Sequence, residues 1–233
     1  MRWAAALALL AAFWAGAGAA ADITEARYGA PTTRYAHGVL GDKVEWGALI
    51  LTLSNRQSQT ITLPDTSVFE DIAPRLADVD GDGDAEVIVI EASLSLGARL
   101  AIYDKGGLVA ATPHIGRPHR WLAPIGTADL DGDGRVELAY VDRPHLAKRL
   151  RIWRYAEGEL KHVADAEGFT NHRIGWDFIA GGLRQCGNLP EMITASGDWS
   201  RILTSRLVSG RIETRDLGVY SGPDSLTAAL NCP

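Results

Sequence analysis

Residues 76–90 read LADVDGDGDAEVIVI, with aspartates at alternate positions 78, 80 and 82, glycines at 81 and 83, then four β-branched residues in a row. A near copy, TADLDGDGRVELAYV, occupies 127–141, with Asp129 standing 51 residues after Asp78. Closely spaced carboxylates on a tight loop are an oxygen-donor set that calcium accepts. A helical EF-hand loop needs its bidentate glutamate at position twelve. Val89 and Tyr140 hold that position here, and the acid comes at position nine, as Glu86 and Glu137. A strand starts directly after it, because Val87-Ile88-Val89-Ile90 is the unbroken apolar run of a strand buried on both faces. The loops therefore belong to a sheet.

Alternate positions name the ligands. In the first loop they are Asp78, Asp80, Asp82, the backbone carbonyl of Asp84, and Glu86. In the second they are Asp129, Asp131, Asp133, the backbone carbonyl of Arg135, and Glu137. Gly83 and Gly134 let the chain turn sharply. Two structural calcium ions are expected. The alternative, a pair of solvated acidic turns without an ion, does not account for the same acidic positions occurring twice.

Outward from the loops the chain repeats itself. RLAIYDKGG from Arg99 aligns with RLRIWRYAEG from Arg149 and RILTSRLVSG from Arg201, and GALILTLSNRQ from Gly47 is an earlier member. A period near 50 residues points to propellers or arrays. Within the units, short strands turn back at Lys105-Gly106-Gly107, Ala156-Glu157-Gly158 and Ser209-Gly210. A strand, an acidic loop, a second strand and a hairpin make four strands per unit, the content of a propeller blade. The expected fold is an all-β, small β-propeller of about four blades, each of four antiparallel strands, with calcium loops between the first two strands of two blades. The repeats fall near 36–71, 72–118, 119–170 and 171–216, with a closing segment at 217–233. A β-sandwich, or a fragment that closes a ring by oligomerising, is the alternative.

The third copy of the loop has lost its acids. IAGGLRQCGNLPEMITA aligns with IGTADLDGDGRVELAYV, which sets Glu191 at Glu137 and puts Leu183, Gln185 and Gly187 in place of the aspartates. Cys186 stands where the ion would be. The first unit keeps only Gly41-Asp42 and Glu45.

These two phrases, DVDGDGDAEVIVI and DLDGDGRVELAYV, with their repeat near 50, resemble the FG-GAP/VCBS repeats of bacterial secreted proteins and the calcium loops of integrin α-subunit propellers. The resemblance implies a β-propeller whose calcium loops join the first two strands of a blade. It carries the ligand role to Asp78, Asp80, Asp82 and Glu86, and to Asp129, Asp131, Asp133 and Glu137. Such a fold serves many roles and does not name one.

The chain opens MRWAAALALLAAFWAGAGAAAD, with one arginine, an apolar stretch and small residues ending at Ala21. That order predicts a signal peptide over 1–21, cleaved to leave a propeller domain at 22–233. The apolar stretch is shorter than the ~20 residues a membrane anchor needs. A periplasmic or secreted protein without membrane insertion follows, expected to be a monomer. Its two cysteines, Cys186 and Cys232, read as one disulfide in an oxidising compartment. Free thiols and a zinc site are the alternatives. The formal charge of −6 argues against nucleic acid as a partner.

PHRWLAPI before the second acidic loop aligns with NHRIGWDFI in the third unit, so His119-Arg120 matches His172-Arg173, with Trp121 and Trp176 nearby. His37 takes the same place in the first unit. These seven residues are candidates for one rim site, with arginines gripping an anion and tryptophans giving flat contact. A structural role, tryptophans as plugs and arginines paired with carboxylates, is the alternative. The three histidines are also a possible transition-metal site. No Gly-x-Ser-x-Gly or His-Glu-x-x-His motif occurs, so no catalytic residue is assigned. The expected function is a calcium-stabilised module that binds an unnamed ligand or protein. The alternatives are a hydrolase or lyase acting on an anionic or carbohydrate substrate through the rim, and a structural subunit of an envelope complex.

Overall fold

The computed structural model describes residues 21–232, so the expected signal peptide lies outside the described residues except for Ala21. The described chain is all-β apart from one short helix, and its strands pair antiparallel throughout. A first group holds β1 (Ile23–Thr32), β2 (Glu45–Leu53) and β3 (Ser58–Thr62), with β2 between the other two. A second holds β4 (Ser67–Phe69), β5 (Arg75–Ala77), β6 (Glu86–Ser93), β7 (Gly97–Asp104) and β8 (Gly107–Ala111). Trp46 pairs with Phe69, which joins these two groups into one sheet. The third group is a sheet of four, β9 (Leu122–Ala128), β10 (Glu137–Asp142), β11 (Arg149–Ala156) and β12 (Glu159–Glu167). The last sheet holds β13 (Phe169–Thr170), β14 (Gly182–Arg184), β15 (Glu191–Ser196), β16 (Arg201–Val208) and β17 (Arg211–Val219).

In the second and fourth groups the leading strand is broken in two, β4 with β5 and β13 with β14, both pieces pairing with the strand that follows. Pro74 contributes to the first break, since it has no N–H for a ladder. Gly181 contributes to the second. Its φ is +80°, and a Cβ there would come within 2.1 Å of the Ile193 carbonyl. β1 lies ahead of the repeat ranges read from the sequence.

The second strand of each unit alternates its side chains between two neighbours. Val87 and Val89 of β6 join a core cluster with Leu49, Leu51 and Phe69. Ile88 and Ile90 face the other way, into a cluster with Trp121, Leu122, Leu138 and Tyr140 of the next group. β10 repeats the arrangement, with Ala139 and Val141 clustered with Met192 and Leu207 of the last sheet. A strand covered on both faces can carry no polar alternation, which is why its sequence is an unbroken apolar run. Each such side chain contributes about 1.5–3 kcal/mol by leaving water.

Helix α1 (Pro223–Leu230) covers the remaining face of the last sheet, with Leu226 buried among Ile193, Ala195 and Ile202. Pro223 opens the helix and Asp224 sits in its first turn, as the helix N-terminus favours. Cys186 and Cys232 form a disulfide, with their Cα atoms 5.3 Å apart. Arg184 also donates to the Ala229 carbonyl at 2.8 Å. The closing segment is thus tied to the third copy of the loop.

Several acids are buried near the start of the second group. Asp71 receives Arg75 at 2.6 Å, and Glu70 bonds His37 Nδ1. Glu45 has no basic partner among the described residues, and burial, then Glu70, Asp42 and Asp71, push its carboxyl up to about 9.

Two outcomes follow from these contacts. Replacing Cys186 and Cys232 by serine releases a 46-residue loop, and the loss should be about 2–4 kcal/mol in denaturant unfolding. An unchanged midpoint would show that α1 holds the segment without the bond. The native chain also keeps a proton on Glu45 that the unfolded chain releases, so its stability contribution falls as pH rises from about 4.5 to about 9. Glu45→Gln should therefore raise Tm more at pH 8 than at pH 5; an equal shift at both values contradicts the assignment.

Candidate metal loops and rim pocket

The two acidic loops have the same internal bonding. Gly81 and Gly83 N–H donate to the Asp78 carboxylate at 2.8 and 3.1 Å, and Gly132 and Gly134 donate to Asp129 at 2.6 and 2.9 Å. All four glycines lie at φ between +80° and +94°, a left-handed conformation that side chains rarely adopt. The closing glutamates bond back across the turn. Val79 N–H donates to Glu86 Oε2 and Leu130 N–H to Glu137 Oε2, both at 2.8 Å. The first loop joins β5 to β6 and the second joins β9 to β10.

Asp78, Asp80 and Glu86 each offer an oxygen within 4.8 Å of the others, and so do Asp129, Asp131 and Glu137. Calcium–oxygen distances of about 2.3–2.6 Å put ligands on opposite sides of an ion about 5 Å apart, so both trios match its size. Asp82 and Asp133 lie in the loops outside these trios. The Asp84 side chain pairs with Lys105 at 2.9 Å, and Arg135 lines a cavity between the two loops. Burial, followed by the neighbouring loop aspartates, raises the Glu86 carboxyl above its usual range. That is the electrostatic cost a bound cation would offset. In the second loop the guanidinium of Arg154 already reaches Asp131, Asp133 and Glu137.

At the opposite ends of β9 and β10 lies a pocket of about 270 Å³. His37, Val39, His119, Arg120, Trp121 and His145 are among its lining, with Ile174 at its mouth. His37 and His119 stack at 5.3 Å between ring centroids. His119 and Arg143, both pocket residues, hold left-handed φ values of +53° and +47°. Such backbone strain is concentrated at functional positions in proteins generally. Trp121 is buried and donates its indole N–H to the Glu70 carbonyl at 2.7 Å.

Four of the seven rim residues read from the sequence thus meet in the pocket. The other three do not line it. His172 is buried behind the wall, its Nδ1 3.0 Å from His145 Nε2 and its Nε2 2.9 Å from the Trp176 carbonyl. Arg173 lies over Trp199 at 4.6 Å, and Trp176 stacks on Phe178. These form an aromatic cluster joined to the pocket wall through His172, which packs edge-on against Trp121 at 4.8 Å and Trp176 at 6.2 Å. His145, which the internal alignment did not single out, takes the place expected for His172. No repeat partner in the sequence marked it. The rim histidines do not gather into a metal-ligand cluster; among the described residues only the two acidic trios do.

The tautomers follow from the partners. A carbonyl only accepts, so His172 carries its proton on Nε2, and its Nδ1 accepts from His145 Nε2–H. Burial, and then His172, lower His145 to about 4, leaving it neutral. Burial also lowers His37 and raises Glu70, so both groups of that pair are pushed toward their neutral forms. Arg120 and Arg143 bring positive charge to the pocket. Arg143 is paired to Asp142 at 2.7 and 2.9 Å, whereas Arg120 bonds only the His119 carbonyl among the described residues.

No curated protein matches the chain. Residues 78–140 match the family model described as an FG-GAP-like repeat, a span running from Asp78 of the first loop through the second loop into β10. With that match and its doubled acidic loop, the chain carries an FG-GAP-like repeat over residues 78–140, set in a series of antiparallel sheets.

Proposed function

We propose that this protein is an exported binding module in which four blade-like groups of strands, stabilised by calcium at its acidic loops, hold a rim pocket for a small organic anion. The blade reading draws support from the sheets packing face to face in chain order and from the FG-GAP-like match. Export accords with the disulfide, and no described helix is long and apolar enough to cross a membrane. Calcium supplies charge neutralisation in the loops, which Asp78, Asp80 and Glu86 are placed to accept.

The observation that carries the ligand reading is the pocket itself. Separate chain segments, at 37–39, 119–121, 143–146 and 174, converge on one cavity in which Arg120 lacks a carboxylate partner among the described residues. Val39, Leu146 and Ile174 add apolar wall. Its size lies at the lower end of small-molecule sites, which begin near about 300 Å³. A carboxylate or phosphate on a small apolar body suits that combination. The hydrolase reading draws on the His37–Glu70 pair, whereas the apolar wall beside Arg120 favours anion binding.

Two experiments test this. Benzoate and phenyl phosphate titrated by calorimetry should bind, and Arg120→Ala should weaken binding by about 10–100-fold, the worth of one charge-assisted contact. Arg173→Ala should leave the affinity unchanged; equal losses in both variants would discard the pocket. Chelation of calcium should lower Tm, and added calcium should restore it. A Tm indifferent to chelator would remove the ion from the scheme.

A further inference from the structure

The two loops look alike in sequence, yet their surroundings differ at one sheet position. We propose that only the first loop depends on a divalent cation, and that in the second the guanidinium of Arg154 is the resident cation, so the chain takes up one structural ion tightly and not two. This rests on the calcium reading above and refines it.

The difference lies in the strand that pairs with the closing glutamate. Glu137 of β10 stands directly opposite Arg154 of β11. In the second group β6 and β7 pair Val87 with Tyr103, and the same register carried one residue further sets Asp104 opposite Glu86. In the last sheet Met192 pairs with Ser205, and one residue further sets Arg206 opposite Glu191. One structural position is therefore Asp, Arg and Arg in successive units.

Arg154 spans the second loop like a clasp. Its Nε bonds Glu137 Oε1, its Nη2 lies 2.8 Å from Asp131 Oδ2, and its Nη1 lies 3.0 Å from Asp133 Oδ2. Asp131 and Glu137 are two of the three carboxylates an ion would use. A guanidinium does not lose its proton in a protein, so its charge is permanent. An entering ion must displace it from both groups. One oxygen, Asp131 Oδ1, stays buried without a partner, which leaves a residual pull for a second, weaker ion.

The first loop has no such clasp. Among the described residues, Lys105 on Asp84 is the one basic side chain paired with a loop acid. Asp78, Asp80, Asp82 and Glu86 have none, and Asp104 adds a carboxylate on the neighbouring strand. The last sheet is the opposite extreme. Its three aspartates are gone, and Glu191 is held by Arg184 at 2.7 Å, Arg206 at 2.6 Å and Arg215 at 3.1 Å. The three units thus form a series: acids with no internal cation, acids with an arginine, and arginines with one acid.

The experiment is a calcium chloride titration of the full chain against a competing chelating dye, with Tm recorded with and without calcium. The wild type should bind one ion tightly, and Asp78→Asn should abolish that binding. Arg154→Gln should bring the count of tight ions to two and make Tm more calcium-dependent. Asp104→Arg should copy the clasp into the first loop, weakening uptake about tenfold or more and reducing the effect of calcium on Tm. This last variant keeps the test decisive if Arg154→Gln does not fold. Two equivalent tight ions in the wild type would overturn the role of Arg154 while leaving calcium in place. No uptake by the wild type or any variant would remove the calcium reading, and this inference with it.

Discussion

The structure turns on a carboxylate that must be buried at the start of the central strand of each repeat. Glu86, Glu137 and Glu191 all lie below one-tenth exposed, beside strands whose side chains are covered on both faces. The first two accept a backbone N–H from across the loop, which fixes where the turn ends and the strand begins. Burying a charge is unfavourable unless it is paired, so each of these three needs a cation near that oxygen or else a proton on it, as Glu45 keeps in the first unit. Metal or arginine can satisfy the same electrostatic demand. Side chains around the loop decide which one does.

This demand explains why the third copy keeps its glutamate after losing its aspartates. Leu183, Gln185 and Gly187 leave nothing to hold an ion, yet Glu191 remains buried and takes three arginines. The loop also gives up the Asx-type bonds that order the other two. The disulfide from Cys186 to the end of the chain, with α1 packed on β15, constrains the same region by covalent and apolar means. Different interactions therefore close the same loop in different units.

Much of this was legible in residues because it depends on short-range pattern. The loop acids, the apolar run of Val87 to Ile90 and the hairpin turns all declare themselves within a dozen positions. The cysteine pair was legible from an even count read together with the expected oxidising compartment. Arg154 was not, because its place opposite Glu137 depends on strand register and nothing in the local sequence marks it as a loop partner. His145 was missed because the internal alignment looked for a residue in the same unit position as His119, and the pocket instead takes its histidine from the turn after β10. Arg173 and Trp176 kept the alignment but turned to Trp199 and Phe178. Helix α1 spans two turns, too few for a periodic signal, and its position depends on a free sheet face.

The pocket and the loops occupy opposite ends of the same strands, which bears on how each is free to vary. Asp142 pairs with Leu122 near the pocket, and Glu137 pairs with Ala128 at the loop. Between them Leu138, Ala139, Tyr140 and Val141 are buried, so the segment is a rigid spacer. Charge changes at the loop end therefore act on stability without entering the pocket. At the pocket end burial lowers His37 and His145, while Arg120 has no carboxylate partner among the described residues. A guanidinium does not lose its proton in a protein, so anion contact at that end would not depend on the charge of a histidine.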